Sequence, residues 1–250
     1  MAQTLHYANA PITEAIIDLR VKPAEMVAAR LSEVCESVSA DYPHREEVFQ
    51  AIGQLELKPG ISASASATQE SIGYKSASAD QRQILQARRN GFSFSRLAPY
   101  DRWATFRDEA RRLWSTYREI STPQQITRLA VRYINRIDIP GDRVDLKEFF
   151  RTSPEISPDL PQMLDGFFLQ LRLPCDDLPG TALINQTIVP PARPGVISVV
   201  LDVDLFRNDS PPQDEAGVWE FFESLHDRKN AIFEACITNN TRELFAKCQS

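Results

Sequence analysis

The chain has no apolar run approaching the ~18–20 residues that span a bilayer. Its N-terminus, Met1-Ala2-Gln3-Thr4-Leu5-His6-Tyr7, has neither a basic nor an apolar segment. Membrane insertion and export by a signal peptide are therefore not expected. Histidine is scarce, with three residues (His6, His44, His226), and glycine is limited to nine. No H-x-x-x-H or H-E-x-x-H spacing occurs, so a zinc site has no ligand pair to build on. Nor is there a G-x-x-x-x-G-K-[ST], G-x-G-x-x-G or G-x-S-x-G motif, which leaves neither a phosphate-cradling loop nor a nucleophile elbow. Cys35, Cys175, Cys236 and Cys248 are scattered, with no C-x-x-C pair and no disulfide-like framework. Reduced thiols fit a cytoplasmic location, and Cys35 and Cys236 fall in apolar helical stripes, where cysteine acts as a small core hydrophobe. No catalytic residue, cofactor or metal is expected.

What is present is ordinary for a folded domain: 250 residues, 42% hydrophobic and 25% charged. A chain this long buries enough surface to fold without a metal or disulfide. Its 34 acidic and 28 basic residues leave a formal charge of −6, which disfavours nucleic acid as a partner. Only a local arginine stripe keeps that partner open.

Glu14 to Val21 alternates as a strand, with Ala15, Ile17, Leu19 and Val21 on one side and Glu14, Ile16, Asp18 and Arg20 on the other. After Pro23, Met26, Val27, Arg30, Leu31, Val34 and Val38 recur at helical spacing. Three strands are expected at Val48 to Lys58, Gln69 to Ser78 and Gln81 to Leu97, with Ser62 to Ala67 as a mobile connection. A helix from Asp101 to Ile120 presents Trp103, Phe106, Ala110, Leu113, Trp114 and Tyr117 as one stripe. The pattern then restarts. A strand spans Arg128 to Ile139, a short helix Asp145 to Phe150, and strands Phe167 to Leu173, Ala182 to Val189 and Val196 to Phe206. A last helix runs from Asp214 to Thr238, with Ser210 or Asp214 as N-cap.

This order reads as β-α-β-β-β-α twice. Trp103, Phe106 and Tyr117 have aromatic counterparts Trp219, Phe222 and Phe233, each 116 residues further on. The expected fold is α+β: duplicated units over residues 1–122 and 123–250, fused into a curved antiparallel sheet with long helices on one face. That arrangement resembles the TATA-binding-protein-like or helix-grip architectures, a likeness of topology that does not specify function.

Three separated segments carry a resemblance of sequence. Tyr7-Ala8-Asn9-Ala10-Pro11-Ile12-Thr13-Glu14-Ala15, Val131-Arg132-Tyr133-Ile134-Asn135-Arg136-Ile137-Asp138-Ile139-Pro140 and Leu225-His226-Asp227-Arg228-Lys229-Asn230 are similar to those of a family of uncharacterised prokaryotic proteins of about this length, sporadically distributed among bacteria and archaea. The resemblance implies no activity. Its sporadic distribution implies a setting such as an accessory or defence-type locus.

Two constellations stand out. If the helices cover the aliphatic side of the sheet, the opposite side carries Arg132, Ile134, Arg136 and Asp138 from one strand and Ser198, Val200, Asp202 and Asp204 from another. Glu14, Asp18, Arg20, Glu56 and Arg172 would extend this polar face. Arg132 and Arg136 could grip an anion, and Asp202 with Asp204 could chelate Mg²⁺ only if a further carboxylate joined them. The second constellation is His226, Lys229 and Asn230 on one face of the last helix, positioned for anion binding or proton transfer. The expected function is non-enzymatic binding through the sheet face and a cleft beneath the last helix. A protein partner or self-association is the leading expectation, and a small anionic or nucleotide ligand the alternative.

Overall fold

In the computed structural model, residues 7, 9–24, 27–56 and 64–246 are described. The elements in order are β1 (Ile12–Lys22), α1 (Val27–Ser37), β2 (His44–Glu56), β3 (Ser64–Ala77), β4 (Gln83–Arg88), β5 (Gly91–Leu97), α2 (Trp103–Ser121), β6 (Gln125–Pro140), a 3₁₀ turn (Leu146–Glu148), β7 (Phe168–Pro174), β8 (Thr181–Val189), β9 (Val196–Arg207), α3 (Glu215–Cys236) and α4 (Asn239–Ala246). The nine strands form one sheet in the order β2-β3-β4-β5-β1-β6-β9-β8-β7, and neighbours are antiparallel throughout. The class is α+β.

β1 and β6 lie side by side near the middle, paired from Ile12↔Asn135 to Lys22↔Gln125. From each of them the chain crosses to an outer edge and meanders back: β2 to β5 returns beside β1, and β7 to β9 returns beside β6. The alternation that makes these segments strands also sorts their side chains. Ala15, Ile17, Leu19, Leu129, Val131, Tyr133, Phe92 and Phe94 point to one face and are buried there with Phe106, Ala110, Leu113, Trp114 and Tyr117 of α2 and Val218, Trp219, Phe222 and Leu225 of α3. Each large side chain removed from water in this layer contributes roughly 1.5–3 kcal/mol. A second cluster joins Ile137, Val199, Leu201 and Val203 to Phe233, Cys236 and Phe245.

Several expectations need correction. The segment Gln81 to Leu97 is two strands, β4 and β5, joined at Arg89-Asn90, with Arg88 paired to Gly91. Asn90-Gly91 is a dipeptide common in hairpins. Here Gly91 is needed because a Cβ would stand 2.5 Å from the Leu19 carbonyl oxygen. The first half therefore has one strand more than β-α-β-β-β-α allows, and the order does not repeat strand for strand. The Ser-Ala stretch is not a simple connection, since Ser64 to Ala67 already pair with β2. Residues 57–63, which hold the end of the strand expected to reach Lys58 and the start of that connection, lie outside the described residues, as do Met26 and Cys248. The helix expected at Asp145 to Phe150 is only a 3₁₀ turn. The last helix ends at Cys236, because Ile237 turns extended and bridges to Phe150; α4 follows and was not anticipated. Of the two candidate caps, Asp214 caps α3, its Oδ1 accepting from the Gly217 N–H at 2.8 Å.

Candidate functional site

The face of the sheet away from the helices carries an arginine–aspartate ladder built by strand register. Asp18 on β1 stands opposite Ala130, between Arg128 and Arg132 on β6, while Arg132 faces Asp204 on β9. Asp18 accepts from three arginines: Arg20 at 3.1 Å, Arg88 at 2.8 Å and Arg128 at 2.8 Å. Arg128 also reaches Asp204 through its Nη2, at 2.9 and 3.2 Å. Arg132 grips Asp202 in a two-pronged pair at 2.8 and 2.7 Å, and Asn185 donates to the same carboxylate at 3.0 Å. Asp18 and Asp202 are only 8% and 4% exposed although no helix packs on this face; their own arginines cover them.

Burial raises the Asp204 carboxyl above its ordinary pKa, against the pull of Arg128 and Arg132. Burial lowers the Arg88 guanidinium, with Asp18 acting the other way, and the Arg88 Nε has no hydrogen-bond partner among the described residues. The hydrogen bonds to Asp202 raise Arg132. Within the ladder a concavity of about 340 Å³ is lined by Glu14, Arg20, Arg88, Arg132 and, on its floor, Ser93 and Ser95.

Asp18 and Asp204 line the concavity too, whereas Arg136, Asp138, Ser198 and Asp202 do not. Arg136 bonds Asp138 at 3.2 Å, the Ser198 hydroxyl at 3.0 Å and the Pro190 carbonyl at 2.8 Å. Ser198 in turn donates to Asp138 at 2.5 Å. This clasp holds the β8–β9 turn, so Arg132 and Arg136 each have a separate anchor within the sheet. Asp202 and Asp204 are likewise committed to Arg132 and Arg128. Among the described residues no group of three or more histidine, cysteine, aspartate or glutamate side chains is placed to hold a metal. Arg172 lies on the outermost strand β7, away from the ladder. The side chain of Glu56 lies outside the described residues.

His226, Lys229 and Asn230 sit on the opposite side of the sheet, beneath α3. The His226 ring stacks on Trp103 of α2 at 4.4 Å and 8°. The Lys229 ammonium lies 3.6 Å above the Tyr133 ring and donates to the Asn230 Oδ1 at 2.5 Å. Since that oxygen is taken, the Asn230 amide nitrogen 3.4 Å from His226 Nε2 is the donor, and His226 carries its proton on Nδ1. Burial, then Lys229 and Arg107, pushes His226 down to about 3. Burial pushes Lys229 down to about 7, opposed only by Glu234. The expected cleft beneath the last helix is filled by the Trp103 and Tyr133 rings, and Tyr133 is fully buried. The cluster is a polar seam between α2, α3 and β6, on the far side of the sheet from the ladder.

Sequence reasoning missed Arg128, Arg88, Asn185 and the clasp of Ser198. Arg128 shares the parity of Arg132 and Arg136 and was legible; Arg88 was hidden by reading its hairpin as one strand. A further concavity, about 1320 Å³, lies between residues 142–165 and the β8–β9 turn. It is lined by Val144, Leu146, Met163 and Ile188 beside Arg143 and Lys147, and of the residues expected on the polar face it reaches Ser198. No helix of the described residues is long and apolar enough to cross a membrane. A scan against protein-family models matches no family, and a search of curated proteins finds no match.

Proposed function

We propose that the chain is a non-enzymatic cytoplasmic binding protein that recognises a protein partner through the helix-free face of its sheet. The observation that carries this reading is the ladder itself. Asp18 and Asp202 are buried under their own arginines on a face without a helix, so the charged groups are ordered before any partner arrives and little side-chain freedom is lost on binding. With arginines and aspartates matched, recognition depends on shape and paired hydrogen bonds rather than net charge, and it depends weakly on salt. A setting in an accessory or defence-type locus follows from the family resemblance alone.

A second reading, a sensor of a small anionic ligand, is favoured by the concavity of about 340 Å³, at the small end of ligand-site volumes. Nucleic acid fits less well, because the aspartates neutralise the arginines that would meet phosphate. The pairing of β1 with β6 and the matching inward meanders support a duplicated, TATA-binding-protein-like unit in which the first half has gained a strand.

Native mass spectrometry of protein gently purified from its own cells separates the readings. The partner reading expects a second polypeptide in whole-number ratio, lost in the double variant Arg20→Ala plus Arg132→Ala. A retained mass of a few hundred daltons favours the anion sensor. A partner held equally by wild type and double variant refutes the role of the ladder.

A further inference from the structure

The sheet ends at β2 on one side and β7 on the other, and the two edges are built differently. β2 carries Arg45, Glu46 and Glu47, ties Arg45 to Glu36 and Glu46 to Lys75, and shifts register between Val48 and Phe49. Charge and a bulge both discourage pairing with another strand. β7 reads Phe-Leu-Gln-Leu-Arg-Leu-Pro, carries the single charge Arg172, and holds an unbroken register from Phe168 to Pro174. Leu160, Met163, Phe168 and Leu173, between 45% and 71% exposed, all lie in or just before this strand.

Its backbone is open as well. The Cys175 N–H donates to the Gly180 carbonyl at 3.0 Å, in the same register that pairs Pro174 with Thr181. Antiparallel alternation then turns residues 173, 171 and 169 toward β8 and leaves the N–H and C=O groups of Phe168, Gln170 and Arg172 pointing outward. Pro174, which has no N–H to offer, also occupies an outward position. None of these outward groups bonds to another backbone segment among the described residues.

We propose that β7 is a self-pairing edge through which two copies of the chain join antiparallel into one continuous sheet. A two-fold axis at Leu171 sets Gln170 against Arg172 of the second copy, Leu169 against Leu173, and Phe168 against Pro174, so the strand is its own complement. Its one charge meets an amide, and no like charges stand opposite each other. Residues of the same parity are paired, so both helix layers stay on one side and the leucines of both copies form one stripe beside them. A slip by one residue would set Arg172 against a leucine and throw the helix layers to opposite sides. The pairing rests on the outward backbone of β7 and not on the polar-face reading; the Gln170 side chain meets only the outer end of the ladder, donating to the Asn185 Oδ1 at 2.8 Å.

Sedimentation equilibrium of the full chain tests this. Wild type is expected at twice the chain mass of 28.3 kDa. Gln170→Arg puts two arginines opposite each other at two symmetric positions and weakens the dimer by roughly two- to thirty-fold; Gln170→Glu creates two ion pairs and tightens it by a similar factor. Gln170→Pro removes an outward N–H and yields a folded monomer. Should that variant unfold, the exposed Arg and Glu variants still decide the matter. A monomer at every concentration overturns the proposal, as does a dimer indifferent to the Arg and Glu variants. Arg20→Ala plus Arg132→Ala leaves this dimer intact, so its failure and that of the ladder are distinguishable.

Discussion

Arg132 and Tyr133 are neighbours on β6, yet they face two different solutions to the same electrostatic problem. On the side of Arg132, the charged groups of the ladder are held in close pairs: Asp18 answers three arginines, Asp202 answers Arg132, and Asp204 answers Arg128. On the side of Tyr133, Lys229 lies on an aromatic face with an amide oxygen for company, and His226 lies on Trp103. A group that keeps some contact with water holds its charge and finds a counter-charge. A group enclosed by rings and a helix shifts its proton equilibrium toward the neutral form.

The contrast is broken most severely by removing the common anion. Asp18→Ala strips Arg20, Arg88 and Arg128 of a shared partner, and the expected loss is roughly 2–4 kcal/mol of unfolding free energy, read as a lower urea midpoint with unchanged slope. Next comes the histidine. Its folded pKa of about 3 lies below the ordinary 6.5, so between those values the unfolded chain binds the extra proton and stability falls as pH falls. His226→Phe, which keeps a ring on Trp103, is expected to flatten that dependence by about 2 kcal/mol between pH 7 and pH 5. A wild-type slope identical to the variant's would show that the imidazole does not titrate on unfolding.

The smallest effect is at the lysine. With its folded pKa near 7 and the ordinary value near 10.5, the unfolded state holds more protons in between, so stability rises with pH across that window. Below it the charged amine must be buried. Lys229→Met is expected to be more stable than wild type by ~1–2 kcal/mol at pH 7, the gain shrinking toward pH 10.5, after allowing for the lost attraction to Tyr133. Thermal unfolding at the two pH values measures it. A variant less stable at both would mean that the ring and amide contacts outweigh burial of the charge.

Much of the ladder was legible in the primary structure. A period of two along Arg128 to Ile139 and Val196 to Phe206 puts Arg132, Asp202 and Asp204 on one side and Tyr133, Leu201 and Val203 on the other, and the helix stripes of α2 and α3 say which side is covered. Asp18 was legible as a member of that face, but its partners were not. Arg88 lies seventy residues away in sequence, and it reaches Asp18 only because the β2–β5 meander returns beside β1. The β4–β5 turn escaped notice although the buried apolar positions change parity across Asn90-Gly91, from Leu85 and Ala87 to Phe92 and Phe94. The filled space beneath α3 was equally hidden, since the Trp103 ring that closes it comes from α2.

By itself the amino-acid order determined where strands and helices form and which side of each is apolar, because side-chain direction repeats with the local backbone geometry and needs no distant partner. Only the tertiary structure decided that β5, β1, β6 and β9 are neighbours, that Asp18 lies among three arginines, and that β7 rather than β2 is the open edge. Those outcomes depend on which strands meet after long crossovers, and a chain carries no local signal of which remote segment will stand 3 Å away.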